Sequence, residues 1–378
     1  MVTVSTMKFS ITKTDIQVSL QKLSKITPTR STIPILSNVL ITTTNNGSII
    51  MRATDLEQTM ILTIPASIEK EGSSVIPVDT LLNIANELPD GRITLSVDKK
   101  LNISIKSETG VYDLKGMSPE EFPAPPELDK QSPVIFSSEL LKLIFKLTSF
   151  AISNDDLKPA LTGVLFHFDQ TSLTTVSTDG HRLARYKIQD FDSGGFSGDI
   201  IIPKNFLTLS KNLIGQTETV EMQMGKSYIT ATFGNDTVHS RIIDERYPDY
   251  ESVIPTNNDK TLTVDVQELT SAVRRVSIFS NRTTQQIAIK MDNDVLEIAT
   301  EDPEKATRAL EKLNGEYSGE PITIGYNAFY LKELLSYMPS EKVVLKLNTP
   351  ISATVFCPED KEEGKDTTML LMPIRLND

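Results

Sequence analysis

The chain has one cysteine, Cys357, among 378 residues. A single thiol excludes an internal disulfide framework and fits a reducing cytoplasm. Histidine is nearly as scarce, with only His167, His181 and His239. No C-x2-C or H-E-x-x-H spacing occurs, so neither a metal site nor a cofactor is expected. Also missing are G-x-x-x-x-G-K-[ST], a G-x-G-x-x-G after a strand and a G-x-S-x-G elbow, the usual phosphate-loop, dinucleotide and hydrolase signatures. No apolar run approaches the roughly 18 residues of a membrane helix. The start, "MVTVSTMKFSITKTD", has neither the basic nor the apolar segment of a signal peptide. A cytoplasmic protein without membrane contact is expected.

Positive charge is in deficit, with 38 Lys and Arg against 50 Asp and Glu, a net charge of −12. On its face that argues against nucleic acid. Net charge is a sum, however, and a groove can be locally basic inside an acidic whole. The hydrophobic content of 39% is ordinary for a chain that buries a core. The length favours two or three domains.

What the chain does have is repetition. "VIPVDTLLNIANELPDGRITLSV" from Val75, "IIPKNFLTLSKNLIGQTETVEMQM" from Ile201 and "TIGYNAFYLKELLSYMPSEKVVLKL" from Thr323 share one pattern. Each is an apolar pair, a turn residue, an amphipathic helix and an alternating strand. The period, about 120 to 125 residues, is that of whole domains rather than of solenoid repeats. An earlier helix precedes each copy: "DIQVSLQKLSKIT", "SSELLKLIFKLTSFAIS" and "DVQELTSAVRRVSIFSN", each opening on Ser or Asp as a candidate N-cap. Hairpins follow in "VLITTTNNGSIIMRATD", "VLFHFDQTSLTTVSTD" and "IAIKMDNDVLEIATED". Proline and charge gather in "SPEEFPAPPELDKQSP" and "RYPDYESVIPTNNDK". Three domains are therefore expected, 7–131, 132–256 and 257–378, each with two helices against antiparallel β-sheet in an α+β layer architecture. Copies joined head to tail can close into a ring.

The candidate chemistry narrows to "STDGHRLA", Ser177 to Ala184. His167 and His239 read as ordinary strand residues. "SGGFSG" reads as a turn, and "CPEDKEEGKD" lacks EF-hand spacing and reads as a solvated loop. Within the octet, Asp179-Gly180 between two alternating runs predicts a tight type I′ turn. The competing reading is a hydrolase using Asp179 and His181, which would need a nucleophile or metal that the sequence does not supply. A third reading is a β-rich adaptor with no nucleic-acid role.

The octet, "TRSTIPILSNVL", "RYPDYESVIP" and the terminal "LLMPIRL" together resemble the bacterial sliding clamp family, the β subunit of DNA polymerase III. The likeness runs from Met7 through nearly the whole chain. It implies the DNA clamp (processivity) fold, two chains closing head to tail into a dimeric ring around duplex DNA, and no catalytic activity. It implies partners as well: double-stranded DNA held without sequence preference, a second copy, the replicative polymerase subunit, the clamp loader, and translesion polymerases and repair proteins carrying clamp-binding peptides. The peptide cleft it implies comprises Leu161, Thr178, Gly180, His181, Arg182 and Leu183, then Pro248 and Val253. Tyr330, Ile351, Leu370, Met372, Pro373, Ile374, Arg375 and Leu376 complete it. The chain departs from the family at Ser252, where several members carry arginine, at Ala353, where serine is usual, and in the added Asn377 and Asp378.

Arg30, Lys158 and Arg282 resemble DNA-contacting loop positions of the family. Lys204 and Lys211 extend that expectation into the second helices, beside Lys332. The first helices contribute Lys13, Lys22, Lys25, Lys142, Lys146, Arg274 and Arg275. A sliding contact calls for loose, phosphate-directed cations. The dimer seam is expected to join "GVYDLKG", through Tyr112 and Leu114, to Ile278 and Phe279 of the partner chain. Otherwise both apolar pairs belong to their own cores.

Overall fold

The computed structural model describes residues 6–28, 30–126 and 132–376. Thr29 of the quoted "TRSTIPILSNVL", the stretch 127–131 at the first expected boundary, residues 1–5 and the added Asn377 and Asp378 lie outside them. Six α-helices occur among the described residues: α1 Lys13–Leu23, α2 Val78–Glu87, α3 Ser138–Thr148, α4 Lys204–Ser210, α5 Val266–Ser277 and α6 Ala328–Ser336. They fall in pairs at the positions that the three sequence copies predict.

Capping follows the expected chemistry at α5 and is shifted at α1. The Asp265 carboxylate accepts the Glu268 N–H at 2.8 Å and opens α5. In the first copy the cap is Thr12 rather than Asp15. The Thr12 hydroxyl accepts the Asp15 N–H at 3.1 Å and donates to the Asp15 carboxylate at 2.6 Å, so the acid at the third helical position holds the capping hydroxyl in place. The helix predicted from Lys204 is short, ending at Ser210 before a run of turns.

Packing divides the chain into two compact units. One holds the chain up to Glu139 together with Asn205–Ile242; the other holds Leu140–Lys204 and everything from Ile243. The division cuts through the middle sequence copy, and the sheets explain why. In the first unit, an eight-stranded sheet pairs Gln58–Pro65 of the first copy with Asp236–Arg241 of the second. In the second unit, a nine-stranded sheet pairs Arg182–Gln189 of the middle copy with Lys365–Leu371 of the last. Each unit therefore contains a sheet fused across a repeat boundary.

A smaller sheet completes each unit. The first unit's has five strands and ends on Val111–Lys115; the second unit's has four and ends on Thr307–Asn314. The three expected hairpins form as antiparallel pairs: Asn38–Thr43 with Ser48–Thr54, Gly163–Phe168 with Ser172–Thr178, and Gln286–Asp292 with Val295–Asp302. Strand cores follow period-two alternation, as in Met7, Phe9 and Ile11. Within the first unit α1 packs on α2, and within the second α5 packs on α6. No helix of the described residues is long and apolar enough to cross a membrane.

Candidate functional site

The octet lies where Ser172–Thr178 turns into Arg182–Gln189 in the nine-stranded sheet. Thr178 pairs with Leu183, which leaves Gly180 and His181 as the central residues of the loop. The expected Asp179-Gly180 type I′ turn is thus displaced by one residue. Positive φ occurs at Gly180 (+88°) and not at Asp179. The physical reason is the Asp179 carboxylate, which accepts the N–H groups of His181 at 2.9 Å and Arg182 at 3.0 Å. An aspartate that satisfies the turn from outside holds the loop with glycine as its first central residue. Thr178 reinforces it, donating its hydroxyl to the Arg182 carbonyl at 2.7 Å and accepting the Gly180 N–H at 3.1 Å.

Arg182 is the anchor. It is 6% exposed, yet every polar arm has a partner. Its guanidinium donates to Asp179 at 3.1 Å, to Glu333 at 2.7 Å and to the Phe150 carbonyl at 2.7 Å. It also lies 4.7 Å from the Tyr330 ring centre and 5.3 Å from that of Phe150, within cation–π range. His181 also stacks on Tyr330, at 5.7 Å with an 18° tilt. One planar cation and one imidazole therefore fix Tyr330 of α6 against the turn.

Beside this anchor lies an apolar cluster. Leu161, Leu183 and Leu370 pack with Leu165, Val176, Ile201, Tyr247 and Ala353. Leu183 and Leu370 are direct partners across the fused sheet. Burial raises the Tyr247 phenol above its usual range, so this ring stays neutral. The C-terminal segment then folds over: Met372 donates its N–H to the His181 carbonyl at 2.8 Å, and Ile374 to the Gly325 carbonyl at 2.9 Å. Glycine is needed at 325 because a Cβ there would meet the Ile374 carbonyl oxygen at 2.5 Å and Leu376 at 2.8 Å.

The structure thus joins Leu161, Thr178, Gly180, His181, Arg182, Leu183, Tyr330, Leu370, Met372, Ile374 and Leu376 through direct contacts or shared packing. Pro248, Val253, Ile351 and Arg375 are exposed, and Pro373 is half-buried. Ser252 is exposed too, its hydroxyl donating to the Asp249 carbonyl at 2.8 Å. Sequence reasoning missed Tyr247, Val176 and Glu333. Val176 was legible from strand alternation; Glu333 was not, because only tertiary folding brings α6 to the turn. No hydrogen bond joins the Asp179 carboxylate to the His181 ring among the described residues. The acid serves three N–H groups of the turn, so the pair is scaffold and not a general base.

Arg30, Lys158, Lys211 and Arg282 are exposed in or beside loops. Lys204 opens α4 and donates to the Asn154 side chain at 2.7 Å. Among the helix cations, Lys22 lies 3.8 Å from Asp236, Lys25 donates to Asn212 at 3.1 Å, and Arg275 holds Glu311 through two bonds. Arg275 keeps its charge all the more firmly for that bond. Lys142, Lys146 and Arg274 are exposed.

The expected seam residues are outside their own cores. Ile278 is 77% exposed and Phe279 42% exposed, directly after α5. Tyr112 is 37% exposed on the edge strand Val111–Lys115, with Leu114 half-buried. Val111 and Leu310, each exposed on an edge strand, were missed by the sequence reading.

Comparison with known proteins supplies the family. Residues 7–126, 135–249 and 251–375 match, in order, the N-terminal, central and C-terminal domains of the DNA polymerase III beta subunit. The beta sliding clamp of Pseudomonas putida is 30% identical over 374 residues, covering 98% of this chain and all of that one. That of Vibrio cholerae is 29% identical over 372 residues, with the same coverage. Among solved structures, the Bartonella birtlesii sliding clamp bound to griselimycin superposes with a TM-score of 0.92 at 30% identity, covering 98% of this chain and all of that one. The Pseudomonas aeruginosa clamp gives 0.91 at 28%, with the same coverage. The chain belongs to the beta sliding clamp family, the non-catalytic processivity subunit of DNA polymerase III in replication.

Proposed function

We propose that two copies of this chain close head to tail into a ring around duplex DNA in the bacterial cytoplasm. Each chain contributes three domains, 7–131, 132–256 and 257–378. The ring slides on DNA and tethers the replicative polymerase, and the clamp loader, translesion polymerases and repair proteins use the same cleft through short peptides. The observation that carries the cleft is the apolar cluster around Leu183 and Leu370, with the C-terminal segment docked beside the turn through Met372 and Ile374. An apolar cluster with a few fixed polar groups beside it suits a leucine- or phenylalanine-bearing peptide. Each well-seated anchor contributes about 2 kcal/mol or more.

Exposure supports the seam. Edge strands with unpaired backbone groups and apolar side chains are rarely left open, and Ile278 with Phe279 offers the matching apolar knob. Sedimentation should give twice 41.9 kDa for the native chain and a monomer for Ile278→Ala with Phe279→Ala. An unchanged dimer sinks this interface. For DNA, Arg30, Lys158 and Arg282 replaced together by alanine should weaken retention on circular duplex and lower the salt slope of binding by about 3, near 0.9 for each phosphate contact. Unaltered retention and slope would remove these three residues from the DNA path.

A further inference from the structure

The fused joint of the first unit repeats the layout of the Leu183 cluster with different residues. Leu40 opposes Arg52 there as Leu165 opposes Val176 in the second unit. Thr59 stands opposite Thr54 and His239, as Leu183 stands opposite Thr178 and Leu370. Three apolar positions of the cluster, Val176, Leu183 and Leu370, are therefore Arg52, Thr59 and His239 in the first unit. The remaining wall stays apolar: Ile35, Leu36, Val75 and Phe122 pack together, with Leu40 and Met117 against them. One half of the layout is preserved, and the other half now carries a cation.

That cation has nothing to neutralise it. Arg52 is half-buried, its guanidinium 5.3 Å from the centre of the Phe122 ring. Among the described residues it makes no hydrogen bond and no ion pair, and its buried Nε is left without an acceptor. The two Nη atoms lack partners as well but are not enclosed, so they are open to a visitor. Burial lowers the Arg52 pKa from its ordinary 12.5 and no carboxylate offsets it, yet a guanidinium keeps its charge at pH 7. A half-buried charge without a counter-ion is costly, which favours an incoming anion.

The neighbours narrow that anion. Leu40 and Ile61 flank Arg52 on the adjacent strands and on the same face, and both are half-buried. His239, lowered by burial and then by the Arg52 charge, is neutral at pH 7, so Arg52 is the one cation among these residues. One cation between aliphatic side chains suits a single negative charge on an apolar stem better than a phosphate dianion. We propose that this face of the joint binds a small aliphatic carboxylate, its acid group on the Arg52 guanidinium and its stem along Leu40 and Ile61.

His239 supplies the reporter, because its ring lies on the same face and the chain has only two other histidines, His167 and His181. Its Cε1–Hε1 signal, assigned by its loss in His239→Asn, is followed in the full chain at pH 7 and constant ionic strength while sodium hexanoate replaces sodium chloride. A saturable shift is expected. Hexanamide, which lacks the charge, should give none, and acetate, which lacks the stem, should need several-fold higher concentration. Arg52→Gln keeps most of the length and loses the charge; it should need about five- to tenfold more hexanoate for the same shift. Arg52→Lys keeps the charge without the planar fork and should fall between the two. The proposal is overturned if hexanamide or acetate matches hexanoate, if Arg52→Gln responds as the native chain does, or if no shift appears once hexanoate has replaced all the chloride. Should Arg52→Gln fail to fold, Arg52→Lys and the hexanamide comparison on the native chain decide the matter.

Discussion

The two sheets that fuse neighbouring repeats use the same device and differ in what they hold. In the first unit, Gln58–Pro65 and Asp236–Arg241 join through four paired positions, Thr237 with Ile61 to Ser240 with Gln58. In the second, Arg182–Gln189 and Lys365–Leu371 join through seven. The shorter joint buries mostly polar residues, Gln58, Thr59, His239 and Ser240, around one apolar pair, Met60 and Val238. The longer one buries Leu183, Ala184, Met369 and Leu370, and keeps its one buried charge, Arg182, at the end. A joint long enough to bury an apolar stripe can also present one, and the cleft proposed above is drawn there. The polar joint holds a hydrogen bond between Thr230 and His239 and another from the Thr63 N–H to Asp236. If that contrast is right, the two joints should fail in different ways.

The largest expected effect is at Arg182. Arg182→Ala removes the partner of Asp179 and Glu333 and leaves both carboxylates near a buried surface. Removing one member of a buried ion network costs about 3–5 kcal/mol. For a unit of this size the matching fall in melting temperature is on the order of ten degrees. Calorimetry should place the loss in the second unit alone, and peptide binding should go with it, because Tyr330 and the 178–183 turn lose their clamp. A loss below about 1 kcal/mol would mean that the cleft does not depend on this anchor.

The polar joint should instead fail with acid. Burial, and then the nearby Arg52, lowers His239 from an ordinary 6.5 to about 4. In the folded chain its ring is neutral and bonded to Thr230 at 2.8 Å. Between pH 6.5 and 4 the unfolded chain takes up the proton before the folded chain does, so stability is whole above 6.5 and falls as pH drops. Each tenfold loss of proton affinity is worth about 1.4 kcal/mol, which sets a ceiling of about 3 kcal/mol. His239→Asn keeps a polar partner near Thr230 and cannot titrate. Its unfolding free energy should vary less between pH 6.5 and 4 than that of the native chain. Parallel pH profiles for the two proteins would show that His239 is not the acid-sensitive element of the joint.

What was legible in the sequence was local. The helix pairs and hairpins followed from period and turn residues, because their contacts lie within a few residues. The apolar character of Ile278 and Phe279 was legible as an oddity at a helix end. The joints were not legible. His239 looked like an ordinary strand residue because its burial depends on Thr59, its partner from another repeat. The turn lies one residue on from the expected pair because a propensity for Asp-Gly does not reveal that the Asp side chain binds the N–H groups two and three residues on. The resemblance named the cleft residues, but the Arg182 contacts to Glu333 and Phe150 came only from the fold.

The smallest effect tests the polar joint from its other end. Asp236 accepts the Thr63 N–H across the joint at 3.2 Å and lies 3.8 Å from Lys22. Its carboxyl is nonetheless held above the usual range, since burial outweighs both the Thr63 bond and the Lys22 charge. A raised carboxyl means that ionisation costs more in the folded chain than in the unfolded one. Asp236→Asn retains an acceptor for Thr63 and discards that ionisation cost, while giving up a partly screened attraction worth no more than about 1 kcal/mol. The expected change is a stabilisation of a few tenths of a kcal/mol at pH 7 that disappears as the native Asp236 becomes protonated in acid. Hydrogen exchange of the 236–241 amides, compared at pH 7 and pH 4, separates the two states. Destabilisation of about 1 kcal/mol or more at pH 7 would show that the Lys22 ion pair, rather than the backbone bond to Thr63, closes this joint.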